Sequence, residues 1–317
     1  MESSALNEAL NKLLRGTGDD LGAYLEEVHT HIPVPETKAI AHCHLIKLDG
    51  NGRPRVADLA TFIALRILDY SIPRSQIVKA KEKDSSNNST VEVMKLQKKA
   101  LQLFTSLQKT GEGGEMLLYA LIQDVLKIPQ LLCKMPLKTN ADLHYHGADG
   151  IHVGYDKSAN MLDLYWGESK LYASVDTGIT ECFKSLKTFF EQNGGSDSRQ
   201  ERDLQLVTDN LDLVDQDLQN ALLQYFNKDD EKFTQLRFKG VTLIGFDSGE
   251  YPDMKIQKTL EELKAQIQAE FTKWNAKLSK KIKKHKPLES FDLHVFLIPF
   301  PSVENFRKSF LTELGLQ

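Results

Sequence analysis

The sequence predicts an α/β protein in which a mixed β-sheet is flanked by helices, and three observations lead to this class. Helical and strand-like patterns alternate along the 317 residues, which argues against an all-helical protein. Two strand-like segments, residues 142–155 and 161–172, flank a turn-forming run at 156–160, as in a β-hairpin. A long predicted helix at residues 254–286 carries a continuous apolar stripe.

Composition and charge limit what the chain can be. A hydrophobic content of 41% supports a substantial core, and a net charge of −4 means that any contact with nucleic acid must come from a local patch. Three cysteines without paired or zinc-site spacing indicate a reducing compartment. The N-terminus lacks a basic and apolar leader, and no segment approaches the ~18 apolar residues of a membrane helix. We therefore expect a soluble cytoplasmic protein.

The first third of the chain combines helices with one strand. The pattern predicts helices at residues 5–15 and 55–69, a strand at 39–48 and a turn at 49–52. Pro73 ends the second helix, because proline removes a helical hydrogen bond. The polar Asp-Ser-Ser-Asn-Asn-Ser run at residues 84–89 predicts a flexible loop or linker.

The rest of the chain alternates between helices and strands around the hairpin. The predicted elements are helices at 91–107, 116–126, 179–190 and 203–226, a loop at 194–198, and strands at 241–246 and 293–298. The apolar stripe of the long helix runs from Leu260 to Ile282. It is either an intramolecular packing face or the docking surface of a large partner.

Three polar side chains of the predicted hairpin form the candidate site. Asp149 lies in the first strand, and Glu168 and Lys170 lie two residues apart on one face of the second. Mg²⁺ and Mn²⁺ prefer oxygen ligands, so Asp149 and Glu168 are predicted to share one ion, with the carbonyl of Ser169 as a further candidate ligand. Lys170 would orient the attacking water or offset negative charge in the transition state of phosphodiester hydrolysis.

The helix before the hairpin offers another carboxylate. Glu115 lies at its start and is predicted to bind the metal directly or through a water molecule. Glu112 lies three residues earlier on the same helical face and competes for that role. The alternative for Glu115 is a first-turn carboxylate that complements the helix dipole.

The hairpin residues also have structural interpretations. Glu168 and Lys170 form a surface ion pair if their strand face is solvated, although Leu162, Leu164 and Trp166 share that face and indicate that it is buried. Asp149 is a turn residue if the flanking Gly147 and Gly150 form a tight turn. We favour the metal-site interpretation for both.

Basic and histidine-containing segments are further candidates. A basic run ends the long helix and is either a solvated helix end or a set of phosphate contacts. Its candidate nucleic-acid residues are Lys280, Lys281, Lys283 and Lys284, next to Lys277, His285 and Lys286. The alternating pairs His42/His44 and His144/His146 favour strand packing over metal binding, with phosphate contact as a further alternative for the second pair.

The order of an acid on a helix, an acid in one hairpin strand and Glu-x-Lys in the next resembles the PD-(D/E)xK nuclease core. In this chain, Gly147-Ala148-Asp149 replaces the leading Pro-Asp. The resemblance implies a restriction-endonuclease-like core at residues 91–192. An N-terminal α/β extension at 1–90 and a C-terminal helical segment with closing strands at 193–317 complete the predicted organisation.

A wider set of segments resembles the DUF1837 family, to which the HamA subunits of the Hachiman anti-phage system belong. The segments are 57–59 (ADL), 67–74 (ILDYSIPR), 111–119 (GEGGEMLLY), 138–154 (KTNADLHYHGADGIHVG), 165–172 (YWGESKLY) and 297–301 (LIPFP). The resemblance covers roughly residues 36–302. It implies a bacterial Mg²⁺-dependent DNA nuclease that forms a heterodimer with a HamB-like helicase subunit, which restrains it.

Two other functions share these residues. A non-catalytic, DNA-clamping or regulatory subunit of the same helicase complex would keep the fold without turnover. A ribonuclease or a structure-specific nuclease would keep the chemistry and differ in substrate.

Overall fold

The structure, a computed structural model, describes residues 2–16, 20–104, 111–138, 148–191, 198–252 and 258–316. Its described strands form one seven-stranded mixed sheet of order β1-β2-β7-β6-β5-β4-β3. The strands are β1 (Leu25–Pro33), β2 (Ala39–Ile46), β3 (Gln130–Leu132), β4 (Gly150–Asp156), β5 (Met161–Tyr172), β6 (Leu236–Asp247) and β7 (Leu293–Phe300). Strands β2, β7, β6 and β5 run parallel, and β1, β4 and β3 pair antiparallel with their neighbours.

Helices surround this sheet, which confirms the predicted α/β class. They are α1 (Ser3–Asn11), α2 (Val56–Leu65), α3 (Ile67–Ser71), α4 (Arg74–Ser86), α5 (Val91–Gln102), α6 (Glu112–Asp124), α7 (Met135–Lys138), α8 (Val175–Phe190), α9 (Arg199–Asn210), α10 (Gln216–Phe226), α11 (Leu260–Lys284), α12 (Lys286–Glu289) and α13 (Val303–Glu313). Within the described ranges, no helix has the length and apolar character needed to cross a bilayer. The predicted N-terminal extension, core and C-terminal segment each contribute strands to this one sheet.

The predicted hairpin is present as β4 and β5, paired antiparallel from Gly150 opposite Gly167 to Asp156 opposite Met161. Strand β5 has the predicted bounds. The Asp156 carboxylate accepts hydrogen bonds from the main-chain N–H groups of Ser158 (2.9 Å) and Ala159 (3.1 Å), which fixes the turn. The predicted part of the first strand at 142–147 lies outside the described residues.

The predicted loop at residues 84–89 is wrong over its first half. Helix α4 continues to Ser86, and Asp84 is buried. The Asp84 carboxylate accepts hydrogen bonds from the main-chain N–H groups of Glu92 and Val93, both at 2.9 Å. Asp84 of α4 therefore caps the start of α5, and these hydrogen bonds hold the two helices together across the short segment that connects them. The polar composition of this segment reflects capping rather than disorder.

Replacing Asp84 by alanine should lower the free energy of unfolding by about 1–2 kcal/mol, the usual effect of losing a helix cap. The change leaves two N–H groups at the start of α5 without their acceptor. Urea denaturation followed by circular dichroism measures the effect. The matched control is Ser85→Ala, which changes the neighbouring exposed helical residue and should leave the midpoint unchanged. Equal midpoints for both variants would contradict the capping role.

Helices α6 and α8 cover opposite faces of β5 and thereby define the surroundings of the candidate site. On one face, Trp166 stacks on Phe189 of α8 with ring centroids 6.0 Å apart. On the other face, α6 approaches closely, because a Cβ atom at Gly114 would lie 3.1 Å from Leu171 and 3.4 Å from the hydroxyl of Ser169. The first turn of α6 therefore lies beside the C-terminal end of β5.

The apolar stripe of α11 faces the interior. Its buried members are Leu263, Ile267, Phe271, Trp274, Leu278 and Ile282. The helix packs against α8, β1 and β2, with the ring of Trp274 against Phe246 of β6 at 4.7 Å. The structure thus confirms the stripe as an intramolecular packing face.

Candidate active site

The side chains of Glu168 and Lys170 form a largely buried ion pair. Lys170 Nζ donates to Glu168 Oε1 at 2.5 Å, and Glu168 is only 5% exposed. Burial opposes the charge on Lys170, but the adjacent Glu168 carboxylate outweighs it and raises the pKa of the lysine above its usual value. The pair therefore lies in the protein rather than on a solvated strand face.

Asp149 lies directly before β4 and binds across to β5. Its main-chain N–H donates to the carbonyl of Gly167 at 2.8 Å. Its Oδ2 atom accepts hydrogen bonds from the main-chain N–H (2.7 Å) and the hydroxyl (2.9 Å) of Ser169. These bonds fix the carboxylate against β5 at Ser169, instead of within a local turn. Gly147, the first glycine of the proposed turn, lies outside the described residues.

The surroundings of Asp149 disfavour the ionised form of its carboxyl group. Burial, followed by the negative charges of Glu115 and Glu168, raises the pKa of Asp149 to about 8. The positive charge of Lys170 and the Ser169 N–H oppose this shift without cancelling it. The negative charges of two other acids thus act on Asp149, and a cation placed there would relieve this repulsion.

Glu115 approaches this cluster from the first turn of α6. Its Oε2 atom accepts a hydrogen bond from the hydroxyl of Tyr70 at 3.1 Å. The charge of Glu115 acts on the pKa of Asp149, directly after the effect of burial. Burial, followed by the charges of Glu115 and Asp149, raises the pKa of Tyr70 well above its usual value. The tyrosine is therefore a permanent hydrogen-bond donor to the cluster.

The carboxylates suit an ion such as Mg²⁺, which takes its remaining ligands from water and substrate. Among the described residues, no three histidine, cysteine or acidic side chains converge as a preformed metal cage. Mg²⁺ is usually bound through about one or two carboxylates, with waters and substrate phosphates as the other ligands. Asp149 and Glu168 fit this requirement, because both supply hard oxygen donors, the charge of Glu168 acts on Asp149, and the charge of Asp149 is incompletely compensated.

The basic end of α11 lies along α8. Lys277 pairs with Asp176 in the first turn of α8 at 2.8 Å, and Lys283 pairs with Glu36. Lys281 and Lys284 lie beside His285, together with Lys187 at the other end of α8. Exposed members of the run are Lys280, Lys283, Lys284 and Lys286. The run therefore forms a local basic surface on an acidic protein.

The described histidines of the alternating pairs serve packing. His42 is fully buried, with Nε2 3.0 Å from Nδ1 of His294, and burial followed by the charge of His294 lowers its pKa to about 3. Burial lowers the pKa of His44 to about 4, against the opposing charge of Glu26. Both are therefore neutral core residues, and the second pair, His144 and His146, lies outside the described residues.

The sequence did not predict the roles of two residues that hydrogen-bond to the acids of the site. Ser169 was predicted to act through its carbonyl, whereas its side chain and N–H hold Asp149. Tyr70 lies in residues 67–74, one of the segments that carry the family resemblance, but no local pattern connects it with Glu115, 45 residues away. Only the packing of α3 against α6 brings the two together.

Comparison with known protein families identifies a match over most of the chain. The sequence model of the family described as HamA matches residues 22–314 of the 317. The matched region includes β1 to β7 and each candidate site residue. No curated protein matches the chain.

Proposed function

Because the chain belongs to the HamA family, which acts in Hachiman anti-phage defence, we propose that it is the DNA-cleaving subunit of that system. The proposed reaction is hydrolysis of DNA phosphodiester bonds with Mg²⁺ or Mn²⁺. One observation carries this proposal. Burial and the charges of Glu115 and Glu168 raise the pKa of Asp149, and Lys170 Nζ lies 2.5 Å from Glu168 Oε1. Clustered acids beside a fixed positive charge are the parts that metal-dependent phosphodiester cleavage needs.

Each residue has a distinct role in the proposed reaction. Asp149 and Glu168 would hold the metal ion, with Glu115 in support, and the bound ion would polarise the phosphate and acidify a water molecule. The Ser169 N–H and hydroxyl keep Asp149 oriented. Lys170 supplies positive charge beside Glu168, where it offsets negative charge on the phosphate.

A helicase partner is part of the proposal. HamA proteins are components of a multi-subunit defence system, which supports a partner for this chain. We propose a HamB-like helicase that forms a heterodimer with the chain and restrains cleavage until it encounters abnormal DNA. Cleavage by the isolated chain and by the heterodimer should therefore differ.

Plasmid digestion by the purified chain tests the proposed activity. The protein is incubated with supercoiled DNA in Mg²⁺, Mn²⁺ or EDTA, with and without the co-encoded helicase. Loss of supercoiled DNA with either metal and protection by EDTA are expected. Parallel digestion of single-stranded DNA, duplex DNA and RNA identifies the substrate, and preferential RNA cleavage would refute the assignment as a DNA nuclease.

A non-catalytic subunit is the second candidate, and one observation favours it. Glu168 is already engaged by Lys170, and the described residues contain no preformed three-ligand cage. This alternative predicts a stable helicase complex and DNA binding without metal-dependent cleavage. Absence of cleavage under every metal and partner condition above would therefore replace the nuclease proposal with this one.

Neutralising the basic end of α11 should weaken DNA binding. The variant Lys281→Gln/Lys284→Gln removes two charges beside α8. The logarithmic slope of affinity against salt should become shallower by about 1–2, since each lost phosphate contact in duplex DNA contributes about 0.9. Fluorescence anisotropy with a labelled duplex at several salt concentrations measures this slope.

The matched control for this prediction is Lys95→Gln/Lys98→Gln. These two lysines are exposed at the same spacing on α5, so the net charge changes equally. An equal loss of slope in both double variants would show that net charge, and not the α11 surface, governs binding.

A further inference from the structure

Tyr70 is held rigidly at the centre of the interface between α3 and α6. It is 2% exposed, and its ring lies edge-on to Tyr119 of α6 with centroids 5.4 Å apart. The Gln130 side chain donates to the main-chain carbonyl of Tyr70 at 3.3 Å. Both its ring and its backbone are therefore fixed by neighbouring elements, which leaves the hydroxyl little freedom of position.

An ion pair secures the other end of this interface. Arg66, one turn before Tyr70, pairs with Asp124 at the last turn of α6 at 2.7 Å. The main-chain N–H of Tyr70 donates to the carbonyl of Arg66 at 2.9 Å. Helix α3 is thus fixed along α6: Arg66, at the start of α3, contacts the end of α6, and Tyr70, near the end of α3, contacts the first turn of α6. The position of the Tyr70 hydroxyl is set by both contacts.

The hydroxyl of Tyr70 is aimed at one carboxylate of the candidate site. It donates to Oε2 of Glu115 at 3.1 Å, and the charges of Glu115 and Asp149 both act on it. A donor fixed in this way selects one rotamer of the glutamate. Groups that orient metal-binding carboxylates in this manner govern the affinity of a site as strongly as some ligands.

We propose that Tyr70 is a positioning residue that orients Glu115 toward a divalent cation bound at Asp149. The inference rests on the proposed function and extends it to the N-terminal segment, outside residues 91–192. The cation site then depends on two hydroxyl groups, Ser169 for Asp149 and Tyr70 for Glu115. Loss of a comparable orienting group weakens metal binding by about 10–100-fold.

The test compares Mn²⁺ binding by the full chain carrying Tyr70→Phe with binding by the wild type. Phenylalanine keeps the ring and its packing and removes only the hydroxyl. Isothermal titration calorimetry with Mn²⁺ alone should show about 10–100-fold weaker binding. The metal-induced rise in melting temperature should shrink accordingly, since ligand stabilisation follows the ratio of concentration to Kd.

Tyr119→Phe is the matched control. Tyr119 is equally buried at 2% exposure and belongs to the same ring contact, but the charges that act most strongly on its hydroxyl are those of Arg15 and Asp69. It should bind Mn²⁺ like the wild type. Equal weakening by the two variants would mean that packing, and not the hydrogen bond to Glu115, controls the site, and would overturn the inference.

A double-mutant cycle makes the inference independent of the folding of a single variant. Glu115→Gln should weaken Mn²⁺ binding, and Tyr70→Phe should add little in that background, because the two act through one hydrogen bond. Additive effects would overturn the role of Tyr70 as a positioning residue. If the wild type binds Mn²⁺ and Tyr70→Phe binds it equally well, only this inference fails. If the wild type binds no Mn²⁺, the proposed function fails with it.

Discussion

Replacing Glu168 by glutamine is expected to abolish metal-dependent DNA cleavage while leaving the fold intact. Glutamine has the same shape, keeps an oxygen for Lys170 and lacks the charge that a divalent cation requires. Lys170, whose side chain is 26% exposed, can then reach solvent. Initial rates of plasmid nicking should fall by about 100–1,000-fold, the usual effect of losing one electrostatic contribution to the transition state, here that of the cation which Glu168 would hold. Rates with saturating Mn²⁺ and circular dichroism of the same samples measure both effects.

Replacing the lysine instead should affect stability as well as cleavage. Lys170→Ala leaves the Glu168 carboxylate buried without its partner, and breaking a buried pair in this way costs about 3–5 kcal/mol. A double variant, Glu168→Gln/Lys170→Met, removes both charges and should unfold at higher urea concentration than Lys170→Ala alone. Glu168→Gln is for this reason the cleaner test of catalysis.

Asp163→Asn is the matched control for Glu168→Gln. Asp163 is another buried acid of β5, 4% exposed and paired with Arg237 at 2.7 Å and Lys239 at 2.9 Å. It lies at the opposite end of the strand from the candidate site. Its loss is expected to lower stability but not the nicking rate of the folded protein. Wild-type nicking by Glu168→Gln, or an equal loss in both variants, would refute the assignment of Glu168.

The local parts of the site were predictable because local patterns specify them. Alternation in β5 and the turn at residues 156–160 fix the hairpin register, and that register puts Asp149 beside β5 near Glu168. The burial of Glu168 follows from Leu164 and Trp166, which share its face. A strand with a well-defined turn and a buried face leaves few alternative pairings.

Contacts between separate elements were not predictable, because no local sequence pattern specifies them. Asp84 caps α5 through a carboxylate in the preceding helix, so its polar surroundings suggested a loop. Strand β1 pairs at the sheet edge with two register irregularities, which interrupt the alternation that identifies strands. The bond between Tyr70 and Glu115 depends on how α3 packs on α6, a property of the assembled core rather than of either segment.

Replacing Asp149 by asparagine is expected to stabilise the metal-free protein at pH 8 and to remove its response to Mn²⁺. The pKa of Asp149 is raised from its usual value near 4 to about 8, so between these values the folded chain holds a proton that the unfolded chain has lost. The contribution of this group to stability is therefore complete below about pH 4 and lost as pH rises to about 8. Asparagine cannot lose that proton, and its oxygen still accepts from Ser169.

Melting temperatures between pH 5 and 8, in EDTA and in Mn²⁺, measure this difference. In EDTA, Asp149→Asn should melt on the order of 5 °C above the wild type at pH 8 and converge with it toward pH 5. Asp156→Asn is the control of opposite sign, because hydrogen bonds from Ser158 and Arg237 lower the pKa of Asp156. That variant should be less stable than the wild type by the same amount from pH 8 down to pH 5, because the contribution of Asp156 is lost only below about pH 4. Parallel pH curves for Asp149→Asn and the wild type would contradict the raised pKa.

The same carboxyl group links proton loss to metal binding. A cation at Asp149 must displace the proton that the fold retains below about pH 8, so Mn²⁺ affinity should rise by up to about tenfold per pH unit below that value and level off above it. Nicking rates at subsaturating metal should follow the same profile, whereas rates at saturating metal should depend less on pH. The repulsion among Glu115, Asp149 and Glu168 that destabilises the metal-free fold is then the source of its affinity for the cation.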